Sequence, residues 1–209
     1  MLSAITAEYC PPSAWNGVRD HAEYALMPRI EAATVANAPA ASATLLEGVQ
    51  KKLGMVPNMF KTIAHSPAAL KFYFGQGEAL ATGKLSAGLH HQIALVTSGV
   101  NNCDYCASAH TLMGKGTGLQ TEELAVNLLG QSSDAKVQAA LTFSKLILEK
   151  HGHVSAADVQ AVRQAGYDDA AVMEIIANVA ATVYTNFVNN VSGTVIDFPL
   201  VKAHALETV

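Results

Sequence analysis

Period-two alternation of apolar and polar residues, the mark of a half-buried strand, is almost absent from this chain of 209 residues. Only 194–198 offers it, and that run is too short to build a sheet. What recurs instead, from Ser42 onward, is helical punctuation. Thr44 and Glu47 fit a capping box, and Gly54 gives a stop. A break at Val56-Pro57-Asn58 leads into a short helix over 59–65. Ser66-Pro67 then places a cap and a proline at the start of a helix to about residue 82, with Phe72, Tyr73 and Phe74 as core. Ser86 caps the next helix, with Ile93, Leu95, Val96 and Val100 as its buried side and Asn101-Asn102 closing it. Further helices are predicted over 103–115, 121–129, 133–150 (core face Val137, Leu141, Phe143, Leu146, Ile147), 155–166 and 168–191. Gly114, Gly116, Gly118, Gly152, Gly166 and Gly193 serve as stops. The expectation is an all-α chain of eight or nine helices in one domain.

Residues 1–40 differ from the rest. Pro11, Pro12, Pro28 and Pro39 break them up, leaving an arm with one short helix around 20–26, suited to wrapping a neighbouring subunit. The helical domain is expected over 41–199, and a short tail over 200–209. At 50% hydrophobic and 14% charged, the chain has much apolar surface to hide, and a homo-oligomer would hide it. The net charge of −4 and the lack of a basic run argue against nucleic acid. No run of about eighteen apolar residues argues for a membrane span. Residues 1–26 lack a basic start and carry Glu8, Asp20 and Glu23, unlike an export signal, so a cytoplasmic location is expected.

In a reducing compartment a close cysteine pair points to redox chemistry or metal more than to a structural bridge. The pair lies in Asn101-Asn102-Cys103-Asp104-Tyr105-Cys106-Ala107-Ser108-Ala109-His110. On a helix, Cys103 and Cys106 are i,i+3 neighbours, and Cys106 and His110 are i,i+4, so all three share one stripe. A helix start or a nearby imidazolium lowers a thiol pKa. Three readings stay open. The pair is a redox dithiol with a base beside it; or two buried thiols pack as small hydrophobes; or His91, Cys103, Cys106 and His110 form a Cys2His2 zinc site. His90 reads as a helix-surface residue, and His65, His151, His153 and His204 as helix-end or tail residues. Cys10 reads as an incidental thiol, and Tyr105 as a residue that shapes the pocket. No Ser-His-acid pattern surrounds Ser108, and no strand and Gly-Lys-Ser/Thr order make the 114–118 glycines a phosphate loop.

Leu85-Ser86, the apolar 92–100 segment, Asn102-Cys103-Asp104-Tyr105-Cys106 and Ala109-His110 together resemble the carboxymuconolactone decarboxylase superfamily, in its AhpD-like alkylhydroperoxidase branch. Gly54-Met55-Val56-Pro57-Asn58-Met59-Phe60, His65-Ser66-Pro67-Ala68-Ala69-Leu70, Tyr184-Thr185-Asn186-Phe187 and Ile196-Asp197-Phe198-Pro199 are similar to its peroxidase-related members. The resemblance runs over about 27–199. It implies an AhpD-like helical bundle, assembled as a trimer or hexamer, and a dithiol peroxidase needing no metal or organic cofactor. It implies that Cys106 attacks a peroxide substrate, Cys103 resolves the product to a disulfide, and His110 serves the proton relay. A dithiol reductant of thioredoxin or lipoyl type would restore the thiols. In one respect the chain departs from the pattern: His91 stands where the family places a relay glutamate, twelve residues before Cys103. An imidazole relays protons but supplies no fixed negative charge. Glu78 is the nearest upstream carboxylate. Two further readings follow from the family: a scaffold whose site has degraded, and a lactone decarboxylase that does not depend on the cysteines.

Overall fold

The structure, a computed structural model, describes residues 28–34 and 36–203. The helix expected at 20–26, Cys10 and His204 lie outside them. Among the described residues there are nine α-helices and no strand: α1 (Ala40–Leu53), α2 (Asn58–Ile63), α3 (Pro67–Leu80), α4 (Ala87–Val100), α5 (Asp104–Gly116), α6 (Thr121–Asn127), α7 (Ala135–Glu149), α8 (Ala156–Gln164) and α9 (Asp169–Ser192).

Most boundaries follow local chemistry. The Ser66 and Ser86 hydroxyls accept the backbone N–H groups of Ala69 and Leu89, each at 3.2 Å, which satisfies donors that the first helical turn leaves unpaired. Ser155 and Asp158 form a reciprocal capping box. Gly54 and Gly193 end α1 and α9 in the left-handed conformation, with φ of 75° and 61°.

Two starts differ from expectation. α1 begins at Ala40, behind Pro39, whose ring fixes φ at −52° and turns the chain into the helix. Thr44 is therefore inside α1, and its hydroxyl donates back to the Ala40 carbonyl at 3.2 Å instead of capping. α7 is capped by Asp134, whose carboxylate accepts from Lys136 and Val137, because the Ser133 hydroxyl is engaged by Glu123.

α4 is the axis of the bundle and packs on α5, α6, α7 and α9. It is buried from Leu89 to Gly99 except at His90, which is why it reads as apolar all round. At Gly99 the helix meets the end of α6 so closely that a Cβ would collide with the Leu128 carbonyl oxygen. Val100, one residue on, is 37% exposed rather than buried, because α4 ends beyond that contact. Phe74 is buried, but Phe72 is 55% exposed and lies edge-on to Tyr184 at 4.9 Å. Consecutive residues on a helix point about 100° apart, so three adjacent aromatics cannot share one core.

Both flanking segments are tied to the bundle. The Arg29 guanidinium donates to the carbonyls of Asn190 and Val191, and its backbone N–H donates to Ser192, so it caps the C-terminal carbonyls of α9. At the other end, Val201 N donates to Ser108 Oγ at 2.8 Å, and Lys202 pairs with Asp104 at 2.8 Å. α9 is long and apolar enough to cross a membrane by length and composition alone. Core helices pass the same test, and α9 carries a buried polar stripe that packs against this bundle.

Two glycine substitutions probe this packing. Gly99→Ala should lose about 3 kcal/mol or more, since rigid backbone opposes the added methyl. Gly75→Ala, in an exposed turn of α3 with nothing within 4 Å of the new methyl, should gain up to about 1 kcal/mol. Urea denaturation of both variants checks the pair.

Candidate dithiol site

α4 turns into α5 through Asn101 and Asn102, and Asn102 takes φ 52°, a left-handed conformation that asparagine tolerates better than most residues. This turn makes Cys103 the N-cap of α5 rather than a residue within it, with φ −106° and ψ 93°. Cys106 lies in the first helical turn, and its backbone N–H donates to the Cys103 sulfur at 3.3 Å. The helical stripe expected from spacing is corrected at this point: Cys103 is folded over the helix start. Both thiols are free and buried, 0% and 2% exposed.

The polar partners of Cys106 come from α9. Asn189 Nδ2 donates to the Cys106 sulfur at 3.3 Å and to the Met59 sulfur at 3.3 Å. Asn186 and Thr185 also reach the Cys106 sulfur. Asn186 is held in turn by Asn101, whose Nδ2 donates to Asn186 Oδ1 at 2.9 Å. Thr185 has one hydroxyl proton and two acceptors in reach, the Thr182 carbonyl at 2.9 Å and Cys106. Burial opposes ionisation of Cys106. The hydrogen bonds from Cys103, Asn189, Asn186 and Thr185 outweigh it and set this thiol below its ordinary pKa. Cys103 is pushed up, first by its hydrogen bond to Cys106, then by burial and the charge on Cys106. The thiol most readily ionised is therefore Cys106, beside a protonated Cys103.

The histidines stand apart from the sulfurs. His91 and His110 meet at 3.1 Å through their Nδ1 atoms. One ring must donate and the other accept, so the neutral pair holds opposite tautomers. Burial and then the nearby His90 hold His110 down to about 4, and burial, His110 and His90 hold His91 well below its ordinary value. His110 thus has His91 as its hydrogen-bond partner, not the Cys106 thiol that the i,i+4 spacing suggested. His90 is not a surface residue: α9 covers it, and Asn178 Nδ2 approaches its Nδ1 at 3.0 Å. All three histidines line a cavity of about 190 Å³ together with Tyr73, Phe74 and Thr185.

Other expectations fall differently. Tyr105 does not line that cavity. It is buried, its hydroxyl accepts from Met59 N at 3.1 Å, and its ring packs edge-on to Phe198 at 5.2 Å. Glu78 does not line the cavity either, which takes Gln76, Gly77 and Leu80 from the same stretch of α3. The Cys2His2 set does not converge, and among the described residues no three His, Cys, Asp or Glu side chains form a group that could hold a metal ion. Sequence reasoning missed Asn178, Thr185, Asn186 and Asn189. Their signal was a polar series, Asn178, Thr182, Thr185, Asn186 and Asn189, at helical spacing within an otherwise apolar segment.

The histidines generate a pH prediction. An unfolded histidine titrates near 6.5, whereas folded His110 stays neutral to about 4. Between those values the unfolded chain binds a proton that the folded chain refuses, so stability falls as pH falls through that window. Allowing for the partly exposed edge of the ring, the loss from His110 should be ~2 kcal/mol, complete below about pH 4. Urea midpoints at neutral and acid pH should converge in His110→Gln relative to wild type.

Residues 67–150 match the carboxymuconolactone decarboxylase family. A search of curated proteins returns no match. Among solved structures the chain is similar to an uncharacterised peroxidase-related protein from Ralstonia eutropha JMP134, described as an alkylhydroperoxidase AhpD core. Identity is 30% over 81% of this chain and 92% of that one, with a TM-score of 0.71. A peroxidase-related protein from Silicibacter sp. TM1040 is 23% identical over 81% and 92%, with a TM-score of 0.72. The debrominase Bmp8 is 21% identical over 80% and 91%, with a TM-score of 0.67. The last two share the fold. The all-helical architecture and the 30% identity across nearly the whole Ralstonia protein agree: this chain belongs to the AhpD-like branch of the carboxymuconolactone decarboxylase superfamily.

Proposed function

We propose that this protein reduces hydroperoxides through Cys103 and Cys106. The observation that carries the reading is the buried Cys106 sulfur, which accepts a hydrogen bond from Asn189 of α9 at 3.3 Å and whose pKa is lowered by its donors, with a second thiol folded over it. The thiolate attacks the terminal peroxide oxygen, the O–O bond breaks, and Cys106 becomes a sulfenic acid as an alkoxide leaves. Cys103 attacks that sulfur, a disulfide forms, and water leaves. In sum, two thiols and one hydroperoxide give one disulfide, one alcohol and one water. The His91–His110 pair lines the cavity that leads to Thr185 and supplies imidazoles that pass a proton to the leaving alkoxide.

His91 fills the position of the family glutamate, and the α9 donors supply the thiolate stabilisation which that carboxylate would have provided indirectly. A dithiol donor of thioredoxin or lipoyl type, in a reducing compartment such as the cytoplasm, completes the cycle. The exposed Met173, Phe187 and Val191 of α9, with Phe72, support assembly as a homo-oligomer.

A second reading has support in the aromatic cavity wall. The debrominase Bmp8 shares this fold, and a variant of it was solved with 2,3,4-tribromopyrrole. The same dithiol holds the two electrons that replace an aromatic bromine with hydrogen, and Tyr73 and Phe74 offer a ring two faces. Lactone decarboxylation has less support, because the cavity lining holds neutral histidines and neither Lys nor Arg to meet a substrate carboxylate.

Stopped-flow mixing of the reduced protein with cumene hydroperoxide, and separately with a tribromopyrrole, tests these readings. Two thiols per chain should disappear with the peroxide, with a rate that rises to a plateau below the ordinary thiol range of about 8.5. Cys106→Ser should lose at least about a hundredfold in rate, and Cys103→Ser should stop at a sulfenic acid that dimedone traps. Thiol loss with the bromopyrrole alone would favour the second reading. No thiol loss with either substrate would leave a scaffold with a degraded site.

A further inference from the structure

Asn189 holds a position that the peroxidase chemistry does not yet use fully. Its side chain is 3% exposed. Both of its N–H groups point at sulfur, one to Met59 and one to Cys106, each at 3.3 Å. A thioether accepts and never donates, so Met59 fixes which end of the amide faces the sulfurs. Oδ1 is left as a buried acceptor without a hydrogen-bond partner, a state that costs about 1–3 kcal/mol. An acceptor left in that state beside a nucleophile is suited to a donor that arrives with the substrate.

A hydroperoxide brings one such donor, the hydrogen on its terminal oxygen, which is the oxygen under attack. Thr182, Thr185 and Asn189 lie at i, i+3 and i+7 on one face of α9. Thr182 and Thr185 line the cavity, and the face continues to Asn189 and the thiol. One turn of α9 therefore separates the cavity wall at Thr185 from the buried Oδ1 acceptor.

We propose that Asn189 is a catalytic residue that holds the Cys106 thiolate through Nδ2 and orients the terminal O–H of an organic hydroperoxide through Oδ1. The inference rests on the peroxidase reading and deepens it. During attack, the S–O bond forms and the O–O bond breaks, and the hydrogen held by Oδ1 stays on the transferred oxygen as the sulfenic acid proton. The alkoxide departs on the opposite side and takes its proton from the imidazole pair or water. The groups that sense charge on Cys106 are Cys103 on the same turn, Tyr105 on α5 and Tyr73 on α3, each raised and neutral. With neutral titratable neighbours, the anion is supported by the Cys103 thiol and then by the amide donors of α9, Asn189 first among them.

The test has two arms on the full-length reduced protein, with Asn189→Leu and Asn189→Ala. In the first, iodoacetamide alkylation of Cys106 is followed by peptide mass spectrometry between about pH 5 and about pH 10. The ionisation midpoint should rise by at least about one unit, roughly tenfold less thiolate at a given pH. Asn189→Ala adds neither bulk nor charge and carries this arm if the leucine variant does not fold. In the second, single-turnover disulfide formation with cumene hydroperoxide is measured at a pH where each protein is fully ionised. The rate should fall by roughly tenfold or more, as expected when a reacting atom loses its alignment. An unchanged midpoint overturns the inference whatever the peroxide does. A raised midpoint with an unchanged high-pH rate overturns the Oδ1 role. A wild-type protein that consumes no hydroperoxide overturns the peroxidase reading and the Oδ1 role with it, while the first arm still decides the Nδ2 contact.

Discussion

A sulfur anion buried in a protein needs hydrogen-bond donors from the chain, because water cannot reach it. Cys106 is a buried sulfur with such a donor beside it, Asn189 of α9. α9 crosses α4 and α5 and carries six buried polar residues, Asn178, Thr182, Thr185, Asn186, Asn189 and Ser192, on a helix otherwise suited to a core. Each of these would be costly in an apolar setting without a partner. Asn178 meets His90, Thr182 and Thr185 donate to carbonyls of α9 itself, Asn186 meets Asn101 and Ser98, and Asn189 meets Met59 and Cys106. The polar stripe and the cysteine turn are thus complementary halves of one site, built from segments about eighty residues apart in sequence.

The histidine cavity follows another logic. Burial lowers all three imidazoles, and neighbouring histidines lower His91 and His110 further, so the cavity wall disfavours positive charge. A glutamate at position 91 would have drawn a proton onto His110 and made an ion pair there. With histidine in its place, His110 meets a neutral ring at 3.1 Å instead of a carboxylate.

Helix identity was legible in the sequence because stop and start signals are local. Ser66-Pro67, Ser86, Ser155 with Asp158, Gly54 and Gly193 act through atoms within one turn, and each sits where its chemistry predicts. Thr44 misled because Pro39 had already started the helix. The motif with Cys103, Cys106 and His110 was visible, but spacing alone assumed one continuous helix. The Asn102 turn puts Cys103 outside it. His90 looked exposed because nothing near it in sequence announces that α9 lies over it. The contact of Asn189 with Cys106 spans 83 residues, and no local pattern encodes that distance.

The His91–His110 contact carries a consequence for any proton that passes through it. Two neutral rings joined Nδ1 to Nδ1 share a single hydrogen between them. When a proton enters at one end and another leaves at the far end, the shared hydrogen crosses and both rings emerge as the opposite tautomer. The pair then faces the next event in mirror configuration, so it works as a counter with two positions. A second transfer in the same direction requires the rings to return first to their starting tautomers, which takes a proton in at one outer nitrogen and a proton out at the other. Successive proton transfers through such a pair are coupled by the parity of one hydrogen, with no movement of the backbone.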